Sequence, residues 1–273
     1  MKYKDTEVAI LISTYDPYSE ALRISLEMFK RFWPDCKYEF IVANNTKKID
    51  DDTITLINCG DDSKSWCARA LKAINQSKAD YYIMLMEDIF ITKPVDNAEI
   101  ESIINFMKKN NIDFYKLIPA PPPKGELFEN SKHAHKINKQ TAYGININSA
   151  IYSRDFFLKI LGDGKISAWD LEERFIKETI DAPDEYFDNC ASDDRNVLNT
   201  IHGIIQGKWL KSTVKKLEKL GVKVDTENRG YYPLKSIIRM KVFKFCRNIL
   251  NPKAKRSVKT FLSKLGFKFV TKY

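Results

Sequence analysis

The chain is short of cysteine and histidine, and it lacks several patterns that would have fixed its class at once. Its five cysteines, Cys36, Cys59, Cys67, Cys190 and Cys246, make no C-x-x-C pair and no Cys/His zinc spacing. Few and odd in number, they suit free buried thiols in a reducing cytoplasm rather than a disulfide framework. No apolar run approaches the length of a bilayer crossing, so no membrane-spanning helix is expected. The opening MKYKDTEVAILIS has too short an apolar patch, and no small-residue cleavage site, for a signal sequence. No G-x-G-x-x-G follows the first apolar run, only STYDPYSE, which argues against a classical dinucleotide site. No repeat and no low-complexity tract is present. The most informative absence is local. Between Arg229 and Tyr273 there is no Asp or Glu against 13 Lys and Arg, while the rest of the chain holds 32 basic and 36 acidic side chains. The net charge of +9 therefore belongs to a basic tail on a mildly acidic body, and the tail is expected to meet a polyanion or an anionic surface.

What is present is enough for a large core: 273 residues, 44% of them apolar, with 16 Phe, 13 Tyr and 4 Trp. The stretch YYIMLMEDIFIT, Tyr81 to Thr92, organises the rest. Its apolar run reads as a strand buried on both faces, as in the middle of a parallel sheet. Two adjacent carboxylates, Glu87 and Asp88, end it. Carboxylates are costly to bury unpaired, and the crevice at the strand ends of an α/β sheet is where ligands bind. The competing reading is a solvated strand-to-loop corner.

Around it the pattern predicts strands at Val8–Thr14, Glu39–Ala43, Thr53–Cys59, Phe114–Ile118 and Tyr143–Tyr152. A helix after Ser19, its expected N-cap, carries Leu22, Leu26, Phe29 and Trp33 inward and stops at Pro34. Strand, helix and strand in close succession make a βαβ unit and predict a parallel sheet. Further helices are predicted over Ser63–Ser77, Ala98–Asn110, Asp155–Leu161 and Ala168–Thr179, with a charged, exposed one over Thr213–Leu220. Asn196–Ile205 reads as strand-like or mixed. Pro119–Thr141 is polar and irregular, long enough for a functional loop or lid.

These segments in this order resemble a nucleotide-sugar-dependent glycosyltransferase of the GT-A fold, of the bacterial surface-polysaccharide type. The likeness covers roughly residues 7 to 210. It rests on VAILISTYD, SWCARALKAI, YYIMLMEDIFITKPVD, YGININSAIYSRDF, SAWDLEERF and HGIIQGKW taken together. The resemblance implies an α/β fold with a central, mostly parallel, Rossmann-like sheet flanked by helices over residues 1–228. A basic amphipathic helical tail over residues 229–273 would follow it. In that family an Asp-x-Asp pair holds a divalent metal, Mn²⁺ or Mg²⁺, on the donor diphosphate. Here Glu87 and Asp88 stand in its place, a departure from the pattern that bears on metal dependence.

Carried over residue by residue, the resemblance puts Thr14, Tyr15 and Asp16 around the nucleotide base and ribose, with Asn45 a similar candidate. Asp16-Pro17 equally well starts a turn. Trp66 and Arg69 lie three apart, so one helical face could carry both. Arg69 would reach the diphosphate or pair with Asp88, while Trp66 alone reads better as a core aromatic. In HGIIQGKW, His202 would be a metal ligand with Asp88, and Lys208 a diphosphate contact. Gly203 and Gly207 would let backbone approach phosphate. In SAWDLEERF, Trp169 would stack on an acceptor sugar, and Glu172, Glu173 or Asp170 would be the base. The alternative there is an acidic helix start favoured by the macrodipole. Asn148 is a further acceptor candidate.

In the tail, Ile237, Ile238, Val242, Phe245 and Ile249, then Val258, Phe261, Leu262 and Leu265, recur near helical period among Lys and Arg. They predict two interfacial helices on an anionic membrane surface; helices packed on the body are the competing reading. The expected activity is hexosyl transfer from a nucleotide sugar to a glycan or lipid-linked glycan acceptor, for capsule, O-antigen or a related polysaccharide. The expected place is the inner face of the cell membrane. The competing classes are a sugar nucleotidyltransferase, which wants a Gly-rich basic first loop that STYDPYSE does not provide, and a membrane- or nucleic-acid-binding module driven by the tail. No nucleic-acid partner is expected, since no recognition motif accompanies the basic residues.

Overall fold

The computed structural model describes residues 5–60, 65–137, 143–181 and 187–237. Its centre is an eight-stranded sheet. The strands, in chain order, are β1 (Asp5–Ser13), β2 (Tyr38–Asn44), β3 (Thr55–Asn58), β4 (Tyr81–Leu85), β6 (Phe114–Lys116), β7 (Ala134–Lys136), β8 (Ala150–Ser153) and β9 (Cys190–Asp193). Across the sheet they run β3-β2-β1-β4-β8-β6-β9-β7. The first four are parallel, β8 is antiparallel to both β4 and β6, β9 is parallel to β6, and β7 is antiparallel to β9. Six of the eight therefore point one way, and the C-terminal ends of β1, β4, β6 and β9 share one edge.

Helices cover both faces, as an apolar-run sheet requires. On one side α2 (Trp66–Gln76), α4 (Arg154–Leu161) and α5 (Ala168–Asp181) pack on Leu11, Met84, Phe114 and Tyr152. On the other, α1 (Ser19–Phe32) and α3 (Asn97–Lys109) pack on Ile10, Ile12, Ile83 and Tyr115. The inward sets Leu22, Leu26 and Phe29, and Ile100, Ile103, Ile104 and Met107, are buried as their spacing predicts.

Several expectations change. The stretch from Tyr81 to Thr92 is two strands. After β4 the chain turns at Glu87-Asp88, with Ile89 N–H donating to the Met86 carbonyl at 3.1 Å. It then enters β5 (Ile89–Ile91), which pairs antiparallel with β10 (Thr200–His202) outside the main sheet. Ser19 is the first residue of α1 and not its cap, because Asp16-Pro17-Tyr18 make a 3₁₀ turn and Tyr18 occupies the cap position. Of Tyr143–Tyr152 only the end, from Ala150, is strand. Asn146 folds the earlier part into turns, its amide donating to the carbonyls of Ala120 (2.9 Å) and Tyr143 (3.2 Å). The irregular loop after Pro119 contains β7, an edge strand too short to carry a periodic signal. β9, with the sequence CASD, has no apolar alternation at all. The helix α6 (Lys211–Lys219) is charged but not free of the body: Thr213, Val214 and Leu217 are buried. Val214 and Leu217 join Phe90, Ile204 and Trp209 in a third cluster against the back of α1. Between β11 (Ile204–Ile205) and β12 (Lys208–Trp209), Gln206 (φ 50°) and Gly207 (φ 76°) form a two-residue hairpin turn.

Residues 229–232 lie on the body. Trp209 N–H donates to the Gly230 carbonyl at 3.0 Å, and Tyr232 N–H to the Trp209 carbonyl at 2.8 Å. The remaining tail, 238–273, lies outside the described residues, and both amphipathic helices expected there lie in it except for their first residue, Ile237. Among the described residues no helix is long and apolar enough to cross a membrane.

Candidate active site

The site is built at the shared edge, where β1 and β4 end side by side with Ile12 opposite Leu85. β1 delivers Thr14 and Tyr15; β4 delivers Glu87 and Asp88 on the two central positions of its exit turn. Thr14 N–H is held by the Ala43 carbonyl at 2.8 Å. The turn is pinned from the far side by Gly203, whose N–H donates to the Asp88 carbonyl at 2.7 Å. Gly203 has a core reason to be glycine: a Cβ there would stand 2.2 Å from the ring of Phe90.

Glu87 is 5% exposed, and its Oε2 is buried without a hydrogen-bond partner; the Thr14 hydroxyl beside it is in the same state. Asp88 is half-buried. Burial raises the pKa of Glu87, and the adjacent charge of Asp88 raises it further, against weaker help from its own backbone N–H, Arg69 and Thr14. Burial raises that of Asp88 too, against the pull of Arg229. A buried carboxylate with an unsatisfied oxygen, beside a second one half-buried, is a standing cost, and a bound cation or ligand donors would relieve it.

Two guanidinium groups surround the pair. Arg69, on the first turn of α2 and 3% exposed, lies over the Tyr15 ring, 5.8 Å from its centroid. Burial lowers its pKa, while Cys59, Glu87, Tyr15 and Asp16 favour its charge. Arg229 lies 4.0 Å from the centroid of Tyr18 and donates to the carbonyls of Pro17 (2.5 Å) and Gly207 (3.3 Å). Tyr15 and Tyr18 are in ring contact at 5.1 Å, and Tyr15 is 41% exposed. Arg229 is a candidate that sequence reasoning misses. It stands far along the chain from Asp88, at the head of a basic tail, and no local pattern separates it from the cations that follow.

The other predicted residues divide. Asp16 accepts from Thr46 Oγ1 at 2.8 Å and from the backbone of Thr46 and Lys47 at 3.2–3.4 Å, which fixes the loop after β2. Burial works against its charge, yet these donors outweigh burial and hold its pKa below the ordinary value. Asn45, at the start of that loop, donates to the carbonyl of Gly60, beyond β3, at 3.4 Å. Trp66 is 7% exposed and belongs to the core cluster with Ala70, Ile74 and Met84, with its indole Nε1 buried and without a hydrogen-bond partner. His202 sits opposite Ile89 across the β5–β10 pair, one residue from Asp88 in register. Desolvation of its ring lowers its pKa, although the residue as a whole is exposed. Lys208 is exposed on β12.

A second group gathers on the α5 side. Glu172 Oε1 accepts from Ile147 N–H at 3.4 Å, and burial raises its pKa. Glu173 is exposed; both carboxylates raise the pKa of Tyr143, after burial. Asp170 is engaged in capping α5: its Oδ2 accepts from Ser167 Oγ (2.7 Å) and N–H (3.2 Å), and its own N–H donates back to Ser167 Oγ (3.1 Å). That reciprocal cap accounts for Asp170 structurally and removes it from the candidate bases. Trp169 is 72% exposed, and Asn148 is half-buried in the loop before β8.

Among the described residues one group of three potential metal ligands lies within 4.8 Å of one another: His133, Asp193 and Asp194. Asp193, fully buried, already accepts from Arg195 Nε (2.9 Å), from a terminal guanidinium nitrogen of Arg195 (3.0 Å) and from the Tyr115 hydroxyl (2.7 Å). Its charge is matched without a metal. The turn at Glu87-Asp88, with an orphaned oxygen, fits a hard cation better.

No family model and no curated protein matches the chain. Among solved structures it is similar to S. aureus TarS residues 1–349 in complex with UDP, with a TM-score of 0.45 and 12% identity over 69% of this chain and 58% of that one. The chain spans 41% of a longer S. aureus TarS structure. It is also similar to a CMP:2-keto-3-deoxy-manno-octonic acid synthetase complexed with CTP, at TM-score 0.47 and 13% identity over 79% of this chain and 98% of that one. A third likeness is to the 2-C-methyl-D-erythritol 4-phosphate cytidylyltransferase of Thermus thermophilus, at TM-score 0.45 and 10% identity over 79% and 100%.

Proposed function

We propose that the protein is a glycosyltransferase that moves a hexosyl group from a nucleotide sugar to a surface-polysaccharide acceptor. One observation carries the reading: the Glu87-Asp88 turn at the C-terminal edge of a parallel sheet, with Glu87 buried, one of its oxygens unsatisfied, and Arg69 and Arg229 near the pair. An acidic pair held ready beside two cations suits a diphosphate bridged by a divalent metal. Glu87 and Asp88 would hold Mn²⁺ or Mg²⁺, with His202 near in register. A metal held there would supply positive charge against that developing on the leaving diphosphate.

This chain's own residues do the rest. Tyr15 offers a ring to the base, and Thr14 offers its hydroxyl to the ribose or phosphate. Arg69 and Arg229 stabilise the diphosphate, and Lys208 adds a mobile positive charge at the rim. On the acceptor side, Trp169 presents a face to a sugar ring and Asn148 a polar contact. Glu172, its pKa raised by burial, takes the proton of the acceptor hydroxyl as that oxygen attacks the anomeric carbon. The bond to the diphosphate breaks with its electron pair on the leaving oxygen. Glu173, exposed one residue on, is the second candidate for the base. The tail beyond the body would hold the enzyme on an anionic inner leaflet, where lipid-linked acceptors lie.

Calorimetry with a panel of nucleoside diphosphates, with and without Mn²⁺, tests the reading. One of them is expected to bind, more tightly with metal, and to lose that metal dependence in Asp88→Asn. Failure of every nucleotide under both conditions would overturn it.

A further inference from the structure

The segment that carries Arg229 is docked on the body by its backbone. Trp209 N–H donates to the Gly230 carbonyl at 3.0 Å, Gly230 N–H to the Thr226 carbonyl at 2.7 Å, and Tyr232 N–H to the Trp209 carbonyl at 2.8 Å. These bonds fix the course of residues 229–232, so the guanidinium is not needed to hold them down. Its own place is set by three contacts on two other segments. One terminal nitrogen donates to the Pro17 carbonyl (2.5 Å) and the other to the Gly207 carbonyl (3.3 Å). The guanidinium carbon lies 4.0 Å from the centroid of the Tyr18 ring.

The ring beneath it is a fixed platform. Tyr18 ends the 3₁₀ turn Asp16–Tyr18, where its N–H donates to the Tyr15 carbonyl at 2.8 Å. The half-buried side chain packs against the cluster that holds Ala21, Ile24, Phe90 and Trp209, and it meets the Tyr15 ring at 5.1 Å with 35° between the planes. Its hydroxyl makes no hydrogen bond among the described residues, so what the side chain offers is its face. A guanidinium on an aromatic face is held by the ring quadrupole while its N–H edge stays available. Of the five N–H donors of an arginine, Arg229 spends two on carbonyls and forms no ion pair among the described residues. Asp88 nevertheless feels its charge: burial raises the Asp88 pKa, and its backbone N–H and Arg229 oppose the rise. Burial raises the pKa of Tyr18 too, with Arg229 opposing and Asp88 and Glu87 adding to it. Ring, guanidinium and carboxylate turn share one neighbourhood, and the guanidinium is kept short of pairing with the turn.

We propose that Tyr18 is a positioning residue of the donor site: its ring, with the carbonyls of Pro17 and Gly207, holds Arg229 beside the carboxylate turn with three N–H donors left for a diphosphate oxygen. The diphosphate assignment rests on the transferase reading; the positioning of Arg229 by Tyr18 does not. A cation fixed in this way is in place before the ligand arrives, so little side-chain freedom is lost on binding. The work is done by the aromatic face, which phenylalanine also has, and not by the phenol hydroxyl.

Two measurements on the full chain test this. Without ligand, the Arg229 Nε–H resonance in isotope-labelled protein should be displaced by the Tyr18 ring current, remain so in Tyr18→Phe, and move to its solvated position in Tyr18→Leu. With Mn²⁺ present, inorganic pyrophosphate is the calorimetric probe. Tyr18→Phe should bind it within about twofold of the wild type, and Tyr18→Leu and Arg229→Met about tenfold more weakly. Tyr18→Leu/Arg229→Met should bind no more weakly than Arg229→Met alone, because the two residues act as one. A ring that served the fold only would lower the unfolding temperature and leave the affinity alone. The proposal is overturned by an Arg229 resonance or an affinity unchanged in Tyr18→Leu, by Tyr18→Phe as weak as Tyr18→Leu, by additive losses in the double variant, or by no pyrophosphate binding to the wild type. If pyrophosphate binding follows Tyr18 while no nucleoside diphosphate binds, the transferase reading fails and this one stands. If nucleotides bind equally well to every variant, this one fails and the transferase reading stands.

Discussion

Two carboxylates at the same edge of one sheet show how burial can mean opposite things. Asp193 ends β9 and Glu87 follows β4, and both are removed from water. Asp193 is surrounded: Arg195 grips both oxygens, Tyr115 donates to one of them, and Arg195 reaches on to Glu99 at 2.6 Å. Glu87 has a neighbouring Asp88 that repels it, and an oxygen with no donor. The first arrangement completes itself from the protein's own groups, as a structural charge must. The second is left incomplete and is improved by something from outside, which is the physical mark of a binding site.

Mutating each acid separates the two cases. Asp193→Ala leaves a buried hydroxyl and a guanidinium without their acceptor, and is expected to cost roughly 3–5 kcal/mol of stability in urea denaturation. Glu87→Gln removes a repulsive charge, and is expected to leave stability unchanged or slightly raised. Turnover should nevertheless fall about a hundredfold or more if the pair stabilises the departing diphosphate. Should Glu87→Gln unfold as readily as Asp193→Ala, the carboxylate turn is structural and the contrast disappears.

The same contrast explains what can be read from the sequence. β1, β2, β4, α1 and α3 announce themselves because their apolar period is long and their faces are buried on regular partners. So does the acidic turn, since two carboxylates after an apolar run are chemically unusual. β7 and β9 are invisible there: AHK and CASD have no periodic apolar content, and both are strands because neighbours in space offer them hydrogen bonds. Glycine is ambiguous in the same way. Gly203 reads as a phosphate contact, yet Phe90, on a strand from a distant part of the chain, is what requires it. Arg229 cannot be found locally either. A cation at the head of a basic tail acquires meaning only from the carboxylate turn it lies near.

Acidity sharpens the comparison next. Glu87 and Asp88 have pKa values raised in the folded protein, by burial first and then, for Glu87, by Asp88. A raised carboxylate means the folded state binds protons more tightly than the unfolded chain. The stability this provides is fully present below the unfolded pKa, near 4, and is lost as pH rises through the folded values. Between neutral pH and about pH 5 the wild type should therefore gain stability on acidification relative to Glu87→Gln/Asp88→Asn, by about 1 kcal/mol. Asp16 and Asp51, whose hydrogen bonds lower their pKa values against burial, work the other way in both proteins and cancel in the difference. Nucleotide binding with Mn²⁺ should move oppositely, weakening as the pair protonates. Parallel stability curves for wild type and double variant would mean that the two carboxylates are solvated after all.

The smallest effects lie on α5, where two adjacent residues repeat the contrast at the surface. Asp170 is satisfied by its reciprocal bonds with Ser167, and Trp169 beside it, 72% exposed, packs on little. Asp170→Ala is expected to cost about 1 kcal/mol through loss of the cap, with acceptor use changed only as far as the helix start shifts. Trp169→Ala is expected to stay within about 0.5 kcal/mol of the wild type. A large apolar ring held in water contributes little to folding and much to a sugar that stacks on it, so the KM for acceptor should rise while donor binding is unmoved. A Trp169→Ala protein that loses stability but keeps its acceptor KM would place the indole in the fold rather than in the site.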